Sequence, residues 1–98
     1  MVASSATRRR GGRADKMYYV YVLKSIKDGK LYIGETDDLP KRFEAHNKGN
    51  VKATKSRIPF RLVFYEAFSN KTDAGRDELF FKSGYGREVL KDKLKNSI

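Results

Sequence analysis

Residues 18–42 decide the fold, and they read YYVYVLKSIKDGKLYIGETDDLPKR. The opening segment, YYVYVLK, is rich in aromatic and β-branched residues, which predicts a strand. Nearly all of its positions are apolar, as expected for a strand that is covered on both faces. Asp28 and Gly29 then predict a tight turn, and KLYIG at residues 30–34 predicts a second strand. The two strands should therefore form a β-hairpin.

A helix is predicted directly after the hairpin. Acidic residues offer N-caps there, and Pro40 is tolerated only in the first turn of a helix, so the helix should begin near Asp37 or Asp38. Arg42 and His46 lie four positions apart, which places them on one face of this helix.

The remainder of the chain predicts one more strand and two more helices. The strand, FRLVFYEAF at residues 60–68, should alternate its side chains between two faces. A helix over residues 73–82 should turn Leu79 and one of the two following phenylalanines inward, and a short amphipathic helix should span residues 87–95. The order β-β-α-β-α-α predicts an α+β fold with a three-stranded mixed or antiparallel sheet flanked by helices.

The composition narrows the choice of partners. A net charge of +10 in 98 residues favours a polyanion, of which nucleic acid is the commonest. The absence of cysteine excludes disulfides and thiolate zinc sites and fits a reducing compartment, so we expect a cytoplasmic protein. Apolar runs are too short for a membrane span, and the basic start lacks the apolar stretch of a secretory signal.

The positive charge divides the chain into two parts. Residues 1–16 carry a net charge of +4, are rich in Ser, Gly and Arg, and have no apolar periodicity. We interpret them as a disordered basic arm, either a solvated tail or a non-specific phosphate contact. Residues 17–98 carry a net charge of +6 and form the predicted folded domain.

Two tripeptides of the hairpin resemble a known signature. YVY at residues 19–21 and YIG at residues 32–34, with ten residues between them, resemble the signature of the GIY-YIG nuclease superfamily. Arg42 stands eight positions after Gly34, where that superfamily has its helix arginine, and His46 follows one turn later. In AGRDELFFK, Glu78 matches the superfamily's metal-binding glutamate. The resemblance is to small single-domain bacterial members and covers residues 17–98.

This resemblance implies a metal-dependent endonuclease that hydrolyses one strand by in-line attack, with DNA as the substrate in repair or in processing of DNA structures. It implies that Tyr21 or Tyr32 acts as the base at the attacking water, and that Glu78 holds one Mg²⁺ or Mn²⁺. Arg42 can offer a planar fork to two phosphate oxygens. His46 can relay a proton or contact a phosphate.

The chemistry of phosphodiester hydrolysis suits these residue types. A nuclease must neutralise the phosphate charge, activate water and stabilise the leaving oxygen. A carboxylate is a hard ligand for Mg²⁺, which binds through few protein groups and keeps its waters. A tyrosine is a poor base at neutral pH, so we expect Arg42 and nearby cations to lower the pKa of the catalytic tyrosine.

The loop between the first helix and the third strand adds positive charge. Lys52, Lys55 and Arg57 lie in this loop, and we predict that they contact phosphates together with Arg42. A merely solvated basic surface is the alternative.

Each site residue also has a structural alternative. The tyrosines of the hairpin can be core or edge aromatics, because tyrosine favours strands. Arg42 can pair with Asp38, and Glu78 can pair with Lys82, since both pairs are four positions apart. His46 can be an exposed helix residue.

Two other functions remain open. One is a nucleic-acid-binding module without activity, and the other is a nuclease subunit that relies on a protein partner for targeting. The sequence leaves the oligomeric state and the shape of the substrate undetermined.

Overall fold

The computed structural model describes residues 16–98. The predicted basic arm therefore lies, but for its last residue, outside the described residues. The elements of the described part follow in chain order: β1 (Tyr18–Ser25), β2 (Leu31–Thr36), α1 (Leu39–Asn47), β3 (Phe60–Phe68), α2 (Lys71–Lys82) and α3 (Gly84–Lys93). This confirms the α+β class and the predicted order of strands and helices.

The three strands form one antiparallel sheet in the order β2-β1-β3. The hairpin turn uses Gly29 at a φ of 73°, a conformation that glycine adopts without steric cost. In the hairpin register, Tyr21 pairs with Gly34 and Leu23 pairs with Tyr32. The two tripeptides of the hairpin therefore lie on neighbouring strands, YVY on β1 and YIG on β2.

A separate apolar cluster covers each face of the sheet. On one face, α2 and α3 pack over the strands through a cluster of Val20, Val22, Ile33, Ala74, Phe81, Leu90 and Leu94. On the other face, α1 and the start of β3 complete a cluster of Tyr21, Leu23, Leu39 and Phe60. Because β1 contributes to both clusters, it is apolar on both sides, as its sequence predicted.

The predicted strict alternation of β3 is wrong. Val22 pairs with Phe64 and Leu23 pairs with Leu62, so Val63 is an extra residue in the ladder and forms a β-bulge. Beyond the bulge, each side chain of β3 points to the face opposite to the one that strict alternation would give. Leu62 consequently packs on the α1 face, while Phe64 packs on the face covered by α2 and α3.

The inward orientation predicted for Leu79 is also wrong. Leu79 is 69% exposed, whereas Phe81 is buried together with Ala74. Ala74 and Phe81 are seven positions apart and share a helix face, but Leu79 lies about 200° from Phe81 around the axis. One of the two phenylalanines does point inward, as predicted.

The helix ends follow from side-chain caps. Asp38 accepts a hydrogen bond from the backbone N–H of Lys41 and caps α1, as predicted. The last helix begins at Gly84 rather than at residue 87, because Ser83 accepts a hydrogen bond from the N–H of Gly86 and caps it. Within residues 16–98, none of the helices combines the length and apolarity needed to cross a lipid bilayer.

Candidate active site

A buried chain of hydrogen bonds joins β1 to α1 and to the loop that follows it. Tyr21 Oη lies 2.9 Å from His46 Nε2, and His46 Nδ1 lies 2.7 Å from Thr54 Oγ1. The Thr54 hydroxyl donates to the carbonyl oxygen of Val51 at 3.4 Å. Because the threonine hydroxyl hydrogen is engaged in this bond, Thr54 Oγ1 can only accept from His46. The network therefore favours a histidine with its hydrogen on Nδ1, and Nε2 then accepts a hydrogen bond from the Tyr21 hydroxyl.

His46 is fully buried, with no exposed surface. The alternative of an exposed helix residue therefore does not hold. Burial, followed by the positive charge of Arg42, lowers the pKa of His46 to about 4, because both disfavour the charged imidazolium. The imidazole is neutral at physiological pH. Its position beneath the surface favours contact with Tyr21 over contact with a phosphate.

Tyr21 is only 1% exposed, and its phenol has a high proton affinity. Burial first, and then the neighbouring Tyr32, raise the pKa of Tyr21 to about 12. Arg42 acts in the opposite direction, but its effect is smaller than that of burial. The pKa of Tyr21 is thus raised, whereas we expected Arg42 and nearby cations to lower it.

Gly34 of the YIG tripeptide makes room for the Tyr21 ring. A Cβ atom added at residue 34 would lie 2.6 Å from Tyr21 Cζ and would overlap the hydroxyl group. Glycine was expected to permit a close approach at this position, and the approaching group is the phenol of its cross-strand partner.

Tyr32 joins the same aromatic cluster but keeps contact with solvent. Its ring centroid lies 6.4 Å from that of Tyr21 and 5.1 Å from that of His46, and its side chain is half-buried. The two phenols of the hairpin thus lie side by side, one sealed inside the protein and the other at its surface.

Arg42 and Glu78 approach this cluster from different helices. Arg42 is exposed on α1, and its charge acts on both Tyr21 and His46. The charge of Glu78, on α2, also raises the pKa of Tyr21. Glu78 does form the alternative contact with Lys82, at 3.0 Å, and its side chain is 23% exposed. Tyr21, Tyr32 and His46 are therefore in direct contact, and the charges of Arg42 and Glu78 act on the buried Tyr21 phenol.

A divalent cation at this site would have one protein carboxylate. In the described part of the chain, no group of three or more His, Cys, Asp or Glu side chains could hold a metal ion. Glu78 is partly open to solvent, and a single carboxylate completed by waters is a donor set that Mg²⁺ accepts. The donor chemistry therefore fits a hard, hydrated cation and does not fit a site enclosed by protein ligands.

The loop cations do not form one group. Lys52 and Lys55 are exposed. Arg57 instead pairs with Asp28 of the hairpin turn at 2.8 Å, and its guanidinium lies 5.5 Å from the ring centroid of Phe60. A guanidinium nitrogen of Arg57 also lies 3.5 Å from the carbonyl oxygen of Leu31, the residue before Tyr32.

Two features of the structure have no counterpart in the sequence patterns. Thr54, the second partner of His46, lies in a polar loop without periodicity.

Asp77 faces Glu66 of β3, and one carboxylate oxygen of each is buried without a hydrogen-bond partner. Burial, and then the contact with Glu66, raise the pKa of Asp77 to about 7. Asp77 and its neighbour Glu78 thus face different parts of the protein, as helix geometry requires.

Known proteins resemble this chain in sequence. A family model described as the GIY-YIG catalytic domain matches residues 17–92. A UPF0213 protein of Clostridium perfringens is 48% identical over 67 residues, which make up 67% of this chain and 71% of that protein. A UPF0213 protein of Pediococcus pentosaceus is 42% identical over 82 residues, or 83% of this chain and 85% of that protein. The solution NMR structure of a UPF0213 protein from Bacillus halodurans has 40% sequence identity, covers 78% of this chain and 83% of its own, and superposes with a TM-score of 0.49. The chain belongs to the GIY-YIG catalytic-domain family.

Proposed function

We propose that the protein is a metal-dependent endonuclease that hydrolyses phosphodiester bonds in DNA. Members of its family act on nucleic acids, and the net charge of +10 suits such a partner. The observation that supports the proposal is that Tyr32 contacts the buried Tyr21–His46 pair and that the charges of Arg42 and Glu78 act on the Tyr21 phenol. Repair or processing of DNA structures is the role that we propose for this activity.

The two phenols have different roles in this proposal. Tyr21 has a pKa of about 12 and its acceptor His46 a pKa of about 4, so the proton between them belongs to the tyrosine. Tyr21 therefore keeps its proton, and we assign the Tyr21–His46 pair a positioning role. Tyr32 has solvent access, and we assign it to the attacking water.

The remaining groups handle the charge of the phosphate. Arg42 is exposed beside the phenols, and it donates two parallel hydrogen bonds to the oxygens of the scissile phosphate. Glu78 would hold Mg²⁺ or Mn²⁺, which supplies Lewis-acid stabilisation of the negative charge on the leaving 3′ oxygen. The exposed Lys52 and Lys55 then contact flanking phosphates.

A plasmid-nicking assay with Mg²⁺, Mn²⁺ or a chelator tests the proposal. Arg42→Ala and Glu78→Gln should each lower the nicking rate by at least about 10²-fold, as expected for groups that stabilise transition-state charge. Arg76→Ala and Glu88→Gln are the matched controls, because both residues are exposed on helices outside the cluster, and they should cleave at the wild-type rate.

The tyrosine variants test the division of roles. Tyr32→Phe should abolish nicking in a stable protein, whereas Tyr21→Phe should lose stability and only part of its activity. The reverse result would assign the base to Tyr21. Matched DNA and RNA oligonucleotides in the same assay test the choice of DNA.

Two results would contradict the proposal as stated. Salt-sensitive DNA binding without cleavage in either metal would indicate an inactive binding module. Cleavage only in a complex recovered with other proteins would indicate a subunit that depends on a targeting partner.

A further inference from the structure

A second cationic feature lies beside the hairpin turn, between β2 and α3. It is a cavity of about 540 Å³. Its lining includes five cationic side chains and no acidic one: Lys24, Lys30, Arg57, Arg87 and Lys91. Apolar side chains of β2 and α3, among them Leu31, Ile33 and Leu90, complete the lining. A cavity of this kind suits an anion that carries an apolar part.

Two of the five cations have acidic partners. Arg57 forms a short ion pair with Asp28, at 2.8 Å. Lys91 lies 3.9 Å from Glu88, but both side chains are more than half exposed, and such a pair contributes little. Most of the positive charge of Lys91 therefore remains available to a ligand.

The other three cations form no ion pair with the protein around them. Among residues 16–98, no carboxylate lies within ion-pair distance of Lys24, Lys30 or Arg87. Lys24 is half-buried, so it has lost part of its hydration without gaining a counter-ion. Like charges on the walls of one cavity repel each other, and an anion in the cavity would relieve that repulsion.

The cavity lies at the same edge strand as the candidate active site but on the other face of the sheet, because Leu31 and Ile33 belong to the cluster covered by α2 and α3, whereas Tyr21 belongs to the cluster on the α1 face. Ile33 lines the cavity, and the next residue, Gly34, contacts the Tyr21 phenol. The outer edge of β2 pairs with no other strand of the described residues, since the sheet order is β2-β1-β3. A nucleic acid that lies across this open edge can therefore contact both faces.

We propose that this cavity binds a backbone phosphate of the nucleic acid whose scissile phosphate lies at Arg42. The apolar part of the cavity lining contacts the sugar beside that phosphate. This inference rests on the proposed nuclease function and extends it.

A binding titration in the presence of a chelator tests the cavity without cleavage. The test variant is Lys30→Ala/Lys91→Ala, because both side chains are exposed and their loss should not disturb the core. The matched control, Lys48→Ala/Lys93→Ala, removes the same charge from exposed positions outside the cavity lining. Thermal unfolding of all three proteins verifies that each is folded.

The readout is the salt dependence of binding to a duplex, measured by fluorescence anisotropy. Each lost phosphate contact lowers the slope of log K against log salt by about 0.9, so the test variant, which loses one contact, should lose about 0.9. Between about 50 and about 200 mM salt, the affinity of the wild type should fall about threefold more than that of the test variant. The slope of the control should stay close to the wild-type value. Equal slopes in the test variant and the control would overturn the inference.

A second titration separates the two sources of phosphate. Inorganic phosphate, followed by NMR, should bind the cavity only weakly, because one free ion lacks the sugar and the neighbouring contacts of the strand. Tight binding of inorganic phosphate, together with an unchanged duplex slope in the test variant, would identify a small-anion site and contradict a strand contact.

Glu78→Gln separates this inference from the proposed function. This variant should not cleave, yet it should show the full contribution of the cavity to binding. A protein that cleaves DNA but shows no cavity contribution would overturn the inference alone. A protein that shows the cavity contribution but never cleaves would overturn the nuclease assignment alone.

Discussion

Acidification should destabilise the protein through His46, which is its one histidine. The pKa of His46 is about 4 in the folded state, against 6.5 for an exposed histidine. The unfolded chain therefore binds a proton more tightly than the folded protein does. Stability is unaffected by this residue above pH 6.5 and falls as the pH decreases from 6.5 towards 4. The full loss is about 3 kcal/mol, of which about 2 kcal/mol should be reached by pH 5.

Urea unfolding of the wild type and of His46→Gln at several pH values measures this loss. The difference between the two free energies of unfolding isolates His46, because every other titrating group is present in both proteins. This subtraction is needed because the raised pKa of Asp77 changes the free energy of unfolding with pH in the opposite direction. The folded protein holds the Asp77 proton up to about pH 7, so Asp77 lowers stability as the pH rises from 3.8. In the wild type the two effects partly cancel.

The expected result is a wild type that loses about 2 kcal/mol relative to His46→Gln between about pH 7 and about pH 5. NMR titration of the single imidazole supplies an independent check. Parallel pH profiles for the two proteins, or ring protons that titrate near pH 6.5, would refute the reasoning. Either result would mean that the imidazole is not held neutral in a sealed contact with Tyr21.

Three further predictions concern individual contacts. Gly34→Ala should displace the Tyr21 ring and destabilise the protein by at least about 2 kcal/mol in urea; a wild-type unfolding midpoint would contradict the crowding at this position. Asn47 donates to the Phe60 carbonyl at 3.0 Å and accepts from its N–H at 2.6 Å, so Asn47→Ala should cost about 2 kcal/mol, and a loss below about 0.5 kcal/mol would show that the clamp is unimportant. The Arg57 contact lowers the pKa of Asp28 to about 2. Wild-type stability should therefore fall as the pH drops from 3.8 towards 2, and Asp28→Asn should weaken this dependence in acid unfolding curves; an unchanged acid limb would exclude the ion pair as its cause.

Local patterns were sufficient to predict the order of the elements. The hairpin follows from β-propensity around Asp28 and Gly29, and the start of α1 follows from the cap at Asp38 and from Pro40. These features depend on residues that are neighbours in the sequence. The spacing of the two tripeptides, of Arg42 and of Glu78 likewise indicated the family. The number of residues between two positions can be counted in the sequence without any knowledge of the fold.

Tertiary structure decided every property that depends on burial. Residues far apart in sequence seal His46 beneath the surface and supply Thr54 as its partner, and this removal from water sets the pKa values of His46 and Tyr21. The bulge at Val63 shifts the faces of β3, and the docking of α2 leaves Leu79 exposed. The cavity between β2 and α3 likewise collects cations from four separate segments. Propensity and spacing are properties of the chain, whereas solvation and electrostatic environment exist only after distant segments have packed together.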